Sequence, residues 1–213
     1  MDRNVQTANL HGDQQDLSSI SVTEISNDSQ WEILKESTEI FFKSFQLGRV
    51  RGLVILADAK LSTDWDSNAH SALIQELINR DLLVIQFNKE KAGSECKFLS
   101  DPDFFINAGD GLAEFCDFIG ISPVISVNSP LDNSGLATLF DVTAQFASVD
   151  VSAIPAIIIA SASCEHTLKF PFQTIEPKEN PLETADRIDH FIHDKREGIN
   201  WCDRCGGRFS PFS

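Results

Sequence analysis

Positive charge is scarce in this chain. Against 32 Asp and Glu it sets only 17 Lys and Arg, for a formal net charge of −15 and a pI of about 4.6. Nucleic acids and anionic membrane surfaces are bound through clustered Lys and Arg, so this balance argues against both as partners. The same acidity keeps a protein soluble, and it offers a docking face to a basic partner. Long apolar runs are missing as well. The longest, "IPAIIIASA" (154–162), has the length of a strand and falls far short of the ~18 residues of a membrane span. No insertion into a membrane is expected. The opening "MDRNVQTANLHGDQQDLSSI" has no basic-then-apolar leader pattern, which makes the cytoplasm the expected location. Neither GxGxxG nor a P-loop occurs, so nucleotide binding through those cradles has no support. The five cysteines, Cys96, Cys116, Cys164, Cys202 and Cys205, are odd in number and scattered. That argues against a secreted disulfide framework.

What is present is enough to fold. The 213 residues, 42% of them hydrophobic, suffice for one domain with a real core. Residues 1–28 are polar and aperiodic and read as a disordered arm. The stretch 28–50 places apolar residues at helical spacing behind Asp28 or Ser29 as a cap, so one amphipathic helix is expected there. Apolar runs at 51–58, 81–87, 123–127 and 154–160 then alternate with amphipathic stretches at 66–80, 109–120, 135–148 and 180–198. A short edge strand is expected within 168–177. In the helix at 66–80 the inner side is assigned to Ala69, Ala72, Leu73, Leu77 and Ile78. Strands that read as unbroken apolar runs between helices imply a parallel sheet covered on both faces. The expected fold is therefore α/β: a three-layer Rossmann-like domain over 29–198 with four to five parallel strands, followed by a tail at 199–213.

Ligands of such sheets sit beyond the carboxyl ends of the strands. The turns there read "ADAKLSTD", "NKEKAGSE", "NSPLDNSG" and "ASASCEHTLK". The last places Cys164, His166 and Lys169 close together, where a nucleophile with its base is one reading and a structural cysteine beside surface polar groups is the other. In "NSPLDNSG", Asp132, Asn133 or Ser134 can cap the helix that starts near Gly135.

Taken in order, "RVRGLVILADAK", "LIQELINRDLLVIQFNKEKAG", "AGDGLAEF", "SPVISVNSPLDNSGLATLF" and "VSAIPAIIIASASCEHTLK" resemble the C-terminal Rossmann-like domain of the nickel–iron–sulfur carbon monoxide dehydrogenases, over about residues 48–170. In that family three strand-end turns supply cysteine thiolates to the catalytic cluster, which needs soft ligands. The resemblance puts those positions at Ala59 (Asp58 if the alignment slips by one), Lys89 and Pro130. Alanine and proline carry no donor, and an ammonium has the wrong charge beside a metal. Lys169 matches the family's active-site lysine. The family's remaining cluster ligands and its N-terminal cysteine-rich segment find no match here. The resemblance thus implies the fold while arguing against the chemistry, and no nickel–iron–sulfur cluster is expected.

The tail beyond the resemblance reads "HFIHDKREGINWCDRCGGRF" (190–209). His190 and His193 share one helix face, and Cys202 and Cys205 form a CxxC knuckle loosened by glycines. Together they offer four tetrahedral donors, right for structural zinc. A knuckle completed by a partner chain, one holding iron, and a metal-free thiol pair are the other readings. Two functions are weighed. One is a non-catalytic interaction or assembly subunit that docks on a redox or carbon monoxide dehydrogenase-like complex. The other is a small-molecule binder or enzyme that reuses the strand-end crevice through Lys89, Lys169, Cys164 and His166.

Overall fold

Unbroken apolar runs become strands buried on both faces. In β1 (Gly52–Leu56), β2 (Leu82–Phe87), β3 (Val124–Val127) and β4 (Ala156–Ile159) every position is buried. Only β5 (Gln173–Ile175) is partly exposed. The computed structural model describes residues 27–57, 67–87, 102–127, 131–160, 172–177 and 180–198. Its sheet has five strands in the order β3-β2-β1-β4-β5, all paired in parallel. The Rossmann-like α/β expectation holds.

The helices supply the outer layers. α3 (Ser67–Asn79) and α6 (Pro181–Gly198) pack on one another, while α1 (Asn27–Glu36) and α2 (Thr38–Gln46) pack with α5 (Asn133–Ala147). The connection β1–α3–β2 and the return β3–α5–β4 cross the sheet in opposite directions. Right-handed crossovers therefore set α3 and α5 on opposite faces. Fully burying one Leu, Ile or Phe side chain is worth roughly 1.5–3 kcal/mol, against about 0–1 kcal/mol for a surface ion pair. The inner layer of Leu53, Ile55, Ile74, Leu77, Ile85, Ile158, Ile188 and their neighbours, each at most 1% exposed, is what holds the fold.

Two expectations need correction. The helix expected over 28–50 is broken at Ser37, where α1 ends and α2 begins. There Ser37 N–H donates to both Ile33 O and Leu34 O, and the Thr38 hydroxyl donates back to Lys35 O at 2.7 Å. Hydroxyl back-bonding of this kind bends helices. On α3, Ala72 is exposed and Ala69 half-buried, while His70 and Ile74 take the inner positions with Leu73, Leu77 and Ile78. Short 3₁₀ turns at Pro102–Asn107 and Val151–Ala153 were not anticipated.

The amino edge of the sheet is tightly fastened. A Cβ on Gly52 would come within 2.8 Å of the Ile192 side chain and 2.9 Å of Pro155 O, so only glycine lets α6 lie this close to β1. At the far end of α6 the buried Arg196 donates from Nη1 to Phe45 O at 2.8 Å and Arg51 O at 3.4 Å. Its guanidinium also lies 5.5 Å from the Phe45 ring centroid. Arg51 in turn pairs with Asp189 at 2.8 Å. Asp81 occupies a left-handed conformation, φ 58°, which Asp tolerates better than most residues. Its carboxylate accepts from Leu112 N at 2.8 Å, at the start of α4 (Asp110–Ile119). Burial pushes the Asp81 carboxyl above its ordinary value, and the Leu112 N–H and the Arg51 charge offset this only in part.

Candidate functional site

Parallel pairing brings the carboxyl ends of β1 to β4 to one edge. Ala57, Phe87, Val127 and Ala160 are the last described residues there, and all are buried. The strand order reverses between β1 and β4, which makes their carboxyl ends the switch point where ligands of such sheets bind.

One layer in from this edge runs a polar row. Ser126 of β3 is the register partner of Gln86 of β2, and Gln86 that of Leu56 of β1. Gln86 is 1% exposed and Ser126 7%. His70, from the first turn of α3, is 6% exposed. Its Nε2 lies 3.4 Å from Gln86 Oε1, which places Gln86 on the α3 face. Burial pushes the His70 imidazole below its ordinary value, with the Gln86 contact opposing. The next residue, Phe87, faces the other way, and its ring meets that of Trp31 on α1 edge to face at 5.9 Å. The alternation of a strand thus separates a polar contact under α3 from an aromatic one under α1.

The second feature is the start of α5. Asp132 caps it, its Oδ1 accepting from Gly135 N at 2.9 Å and from Ser134 Oγ at 3.0 Å. Oδ2 accepts from Trp31 Nε1 at 3.2 Å, and Lys35 Nζ lies 4.0 Å away. A Cβ on Gly135 would collide with this carboxylate, so the glycine is part of the cap. Burial alone would raise the Asp132 carboxyl. The Gly135 N–H, the Trp31 ring N–H, the Ser134 hydroxyl and the Lys35 ammonium outweigh it and hold the group below its ordinary range. Of the three residues the sequence offered as caps, Asp132 does the capping.

The sequence-derived candidates Ala59 (with Asp58), Lys89, Pro130, Cys164, His166, Lys169, Cys202 and Cys205 lie outside the described residues. In sequence the first six follow the ends of β1 to β4. His190 and His193 are described, and both are exposed on α6. α6 runs to the amino edge, so its end at Gly198 lies across the sheet from the crevice. Among the described residues no three His, Cys, Asp or Glu side chains converge as a metal site. The one described thiol is Cys116, buried on α4 and pushed upward by burial and by Asp117. α4 starts beside Asp81 and Arg49 at the amino edge. The positions at which the resemblance places cluster ligands all fall outside the described residues. His70, Gln86 and Trp31 were missed in the sequence. The legible signal was Gln86, a lone polar residue in a strand buried on both sides.

No family model matches the chain. Carbon monoxide dehydrogenase 2 of Methanosarcina mazei is 26% identical over 148 residues, 68% of this chain and 23% of that protein. The carbon monoxide dehydrogenase of Methanocaldococcus jannaschii is 23% identical over 217 residues, 84% of this chain and 35% of that protein. The chain thus spans about a quarter to a third of the length of these two relatives. Among solved structures, a nickel-free carbon monoxide dehydrogenase from Thermococcus sp. AM4 superposes with a TM-score of 0.64 at 20% identity, covering 83% of this chain and 34% of that one. Carbon monoxide dehydrogenase IV from Carboxydothermus hydrogenoformans gives 0.58 at 19%, covering 82% and 36%. Among the described residues no helix is long and apolar enough to cross a membrane. In sequence over the stretch it shares with these proteins, and in its five-stranded parallel fold, the chain is carbon monoxide dehydrogenase-like.

Proposed function

We propose that the chain is a non-catalytic carbon monoxide dehydrogenase-like subunit of the cytoplasm. It docks on a redox or carbon monoxide dehydrogenase-like complex, and its tail holds a structural metal at His190, His193, Cys202 and Cys205. One observation carries this reading: the fold superposes on carbon monoxide dehydrogenases, while Ala59, Lys89 and Pro130 stand where the resemblance places cluster thiolates. Function follows sites and not folds, and a cluster without thiolates has no site. Phe87 packed under Trp31 supports it too, since side chains fill the sheet just behind the crevice.

The test is to purify the full chain from its source under anaerobic conditions, and to assay carbon monoxide-dependent reduction of a viologen dye together with nickel and iron content. The expected result is no carbon monoxide-dependent reduction, no nickel, and elution with a redox complex. Activity with bound nickel, or a chain that elutes alone as a monomer, overturns the proposal.

The buried row of His70, Gln86 and Ser126 favours a second reading, in which the crevice is reused for a small polar ligand with Lys89, Lys169, Cys164 and His166 around it. Protection of residues 58–66, 88–101, 128–130 and 161–171 from hydrogen exchange by a small metabolite would support this reading over docking.

A further inference from the structure

Apolar side chains that the fold leaves in water are unevenly placed. Among the described residues the large ones are Leu47, Ile106, Phe118, Phe146 and Leu182. Leu182, in the first turn of α6, lies toward the carboxyl edge. The other four lie at the amino edge. Leu47 closes α2 shortly before β1 begins. Ile106 stands in the 3₁₀ turn Pro102–Asn107, close to where Gly109 N donates to Ile78 O at 2.9 Å. Phe118 is in the last turn of α4 and Phe146 in the last turn of α5, and these helices lead to the starts of β3 and β4. A single exposed apolar residue needs no explanation. Several at one end of the molecule, aromatics among them, mark an interaction surface. Phe146 is also held in place, because its ring stacks on the buried Phe42 at 5.7 Å, which lowers the cost of ordering it against a partner.

Charge indicates what meets this face. The carbonyl end of a helix favours Lys or Arg. α1, α2 and α6 carry one or more in the last turn, and Arg80 follows α3 at once. α4 and α5 carry none there. α4 instead sets Asp117 next to Phe118, at the helix end where a carboxylate is unfavourable. No cation pairs with Asp117 among the described residues, and its charge helps to push the Cys116 thiol up. Arg49, which does reach α4, is taken by Glu114 at 2.9 Å. The two helix ends that present Phe118 and Phe146 thus leave their negative charge uncompensated. A second copy of the chain would bring the same acids to the same face and a net charge of −15 with them, so like charge opposes self-association.

We infer that the amino edge is the docking face of this chain, and that its occupant is a protein surface with an apolar stripe bordered by Lys or Arg. Phe118 and Phe146 anchor the stripe, and the partner's cations meet Asp117 and the carbonyl ends of α4 and α5. The inference rests on the docking part of the proposed function and adds to it the face used and the chemistry of the partner. It leaves the carboxyl-edge crevice outside the contact.

The experiment uses the full chain and the redox complex that elutes with it from the source. The isolated complex is titrated with fluorescently labelled chain at several salt concentrations. The chains compared are the unmodified one, Ile106→Ser/Phe118→Ser, Asp117→Asn, and Leu182→Ser as the control at the other edge. Ile106 and Phe118 are 73% and 74% exposed, so the fold stands without them, and thermal melts of the free variants verify it. Expected are binding weaker by about 10-fold or more in the apolar pair, and weaker binding with a shallower salt dependence in Asp117→Asn. Leu182→Ser should bind as the unmodified chain does. An apolar pair that binds as tightly as the unmodified chain, or an Asp117→Asn chain that binds more tightly, overturns the inference and leaves the docking reading standing. Sedimentation equilibrium of the chain alone should show a monomer. A dimer dispersed by the apolar pair assigns the face to a second copy and overturns the inference. A chain that elutes from its source with no complex overturns the docking reading and the inference together.

Discussion

The two edges of the sheet are built to different ends. At the amino edge, charged side chains reach backbone groups and each other across the chain: Arg196 to Phe45 O, Asp81 to Leu112 N, Arg51 to Asp189. Each contact ties together elements far apart in sequence. At the carboxyl edge the described polar contacts include a row under α3 and the Asp132 cap joined to α1 through Trp31. What the described carboxyl edge holds is a capped helix start and aromatic packing behind it.

The largest effect should come from loosening the amino edge. Arg196→Met keeps the apolar stem against Phe45 and removes the donor that Phe45 O and Arg51 O accept from. Hydrogen bonds from a charged group are worth about 1.5–3 kcal/mol, so urea unfolding should show a loss of about 2–3 kcal/mol. A loss below about 0.5 kcal/mol would mean that α6 is not fastened there and that the two edges do not differ as argued.

The carboxyl edge should instead show itself through pH. His70 is held neutral by burial, with its folded value below the ordinary 6.5. The unfolded chain takes up this proton first as pH falls. Stability from the neutral imidazole is therefore full above about pH 6.5 and is lost as pH drops toward the lowered folded value. The slope is at most about 1.4 kcal/mol per pH unit for one proton. His70→Leu should flatten urea midpoints between pH 6.5 and 5, at some cost from the polar Gln86 left behind. A slope unchanged by the substitution would place the acid sensitivity elsewhere.

Much of this architecture was legible in the residues. Strands buried on both faces read as unbroken apolar runs, and β1 to β4 were found because "GLVIL", "LLVIQF", "VISV" and "AIII" cannot be amphipathic. The break at Ser37 was not legible, because periodicity carries through it and only the Thr38 hydroxyl bond to Lys35 reveals the bend. The inward place of His70 was not legible, because its partner Gln86 lies on β2 beneath α3, 16 residues on in the sequence. The cap was half legible: "DNS" offered three candidates, and the choice of Asp132 depended on Trp31, 101 residues away in sequence. Contacts of that separation leave no local pattern. Among the strand-end candidates, Ala59, Lys89 and Pro130 rest on the resemblance and Cys164 and His166 on the residues themselves, and all of them lie outside the described residues.

The smallest expected effect is also the sharpest contrast between the edges, because it sets two carboxylates against each other in sign. Asp132→Ala removes an N-cap, which costs about 1 kcal/mol, and takes from Trp31 Nε1 the acceptor it has in the fold. Asp132 titrates below its unfolded value in the folded chain. Its stabilisation is thus present above about pH 4 and lost as pH falls through the lowered folded value. Asp81 titrates above its unfolded value. Its ionised form is a burden at neutral pH that is relieved as pH falls. Asp132→Asn should therefore soften the acid loss of stability, and Asp81→Asn should deepen it relative to neutral pH, by removing a group whose protonation favours the folded state. Urea midpoints from pH 7 to 3 read both. Two substitutions that shift the acid limb in the same direction would show that the carboxylates of the two edges do the same work, and the contrast between the edges would fail.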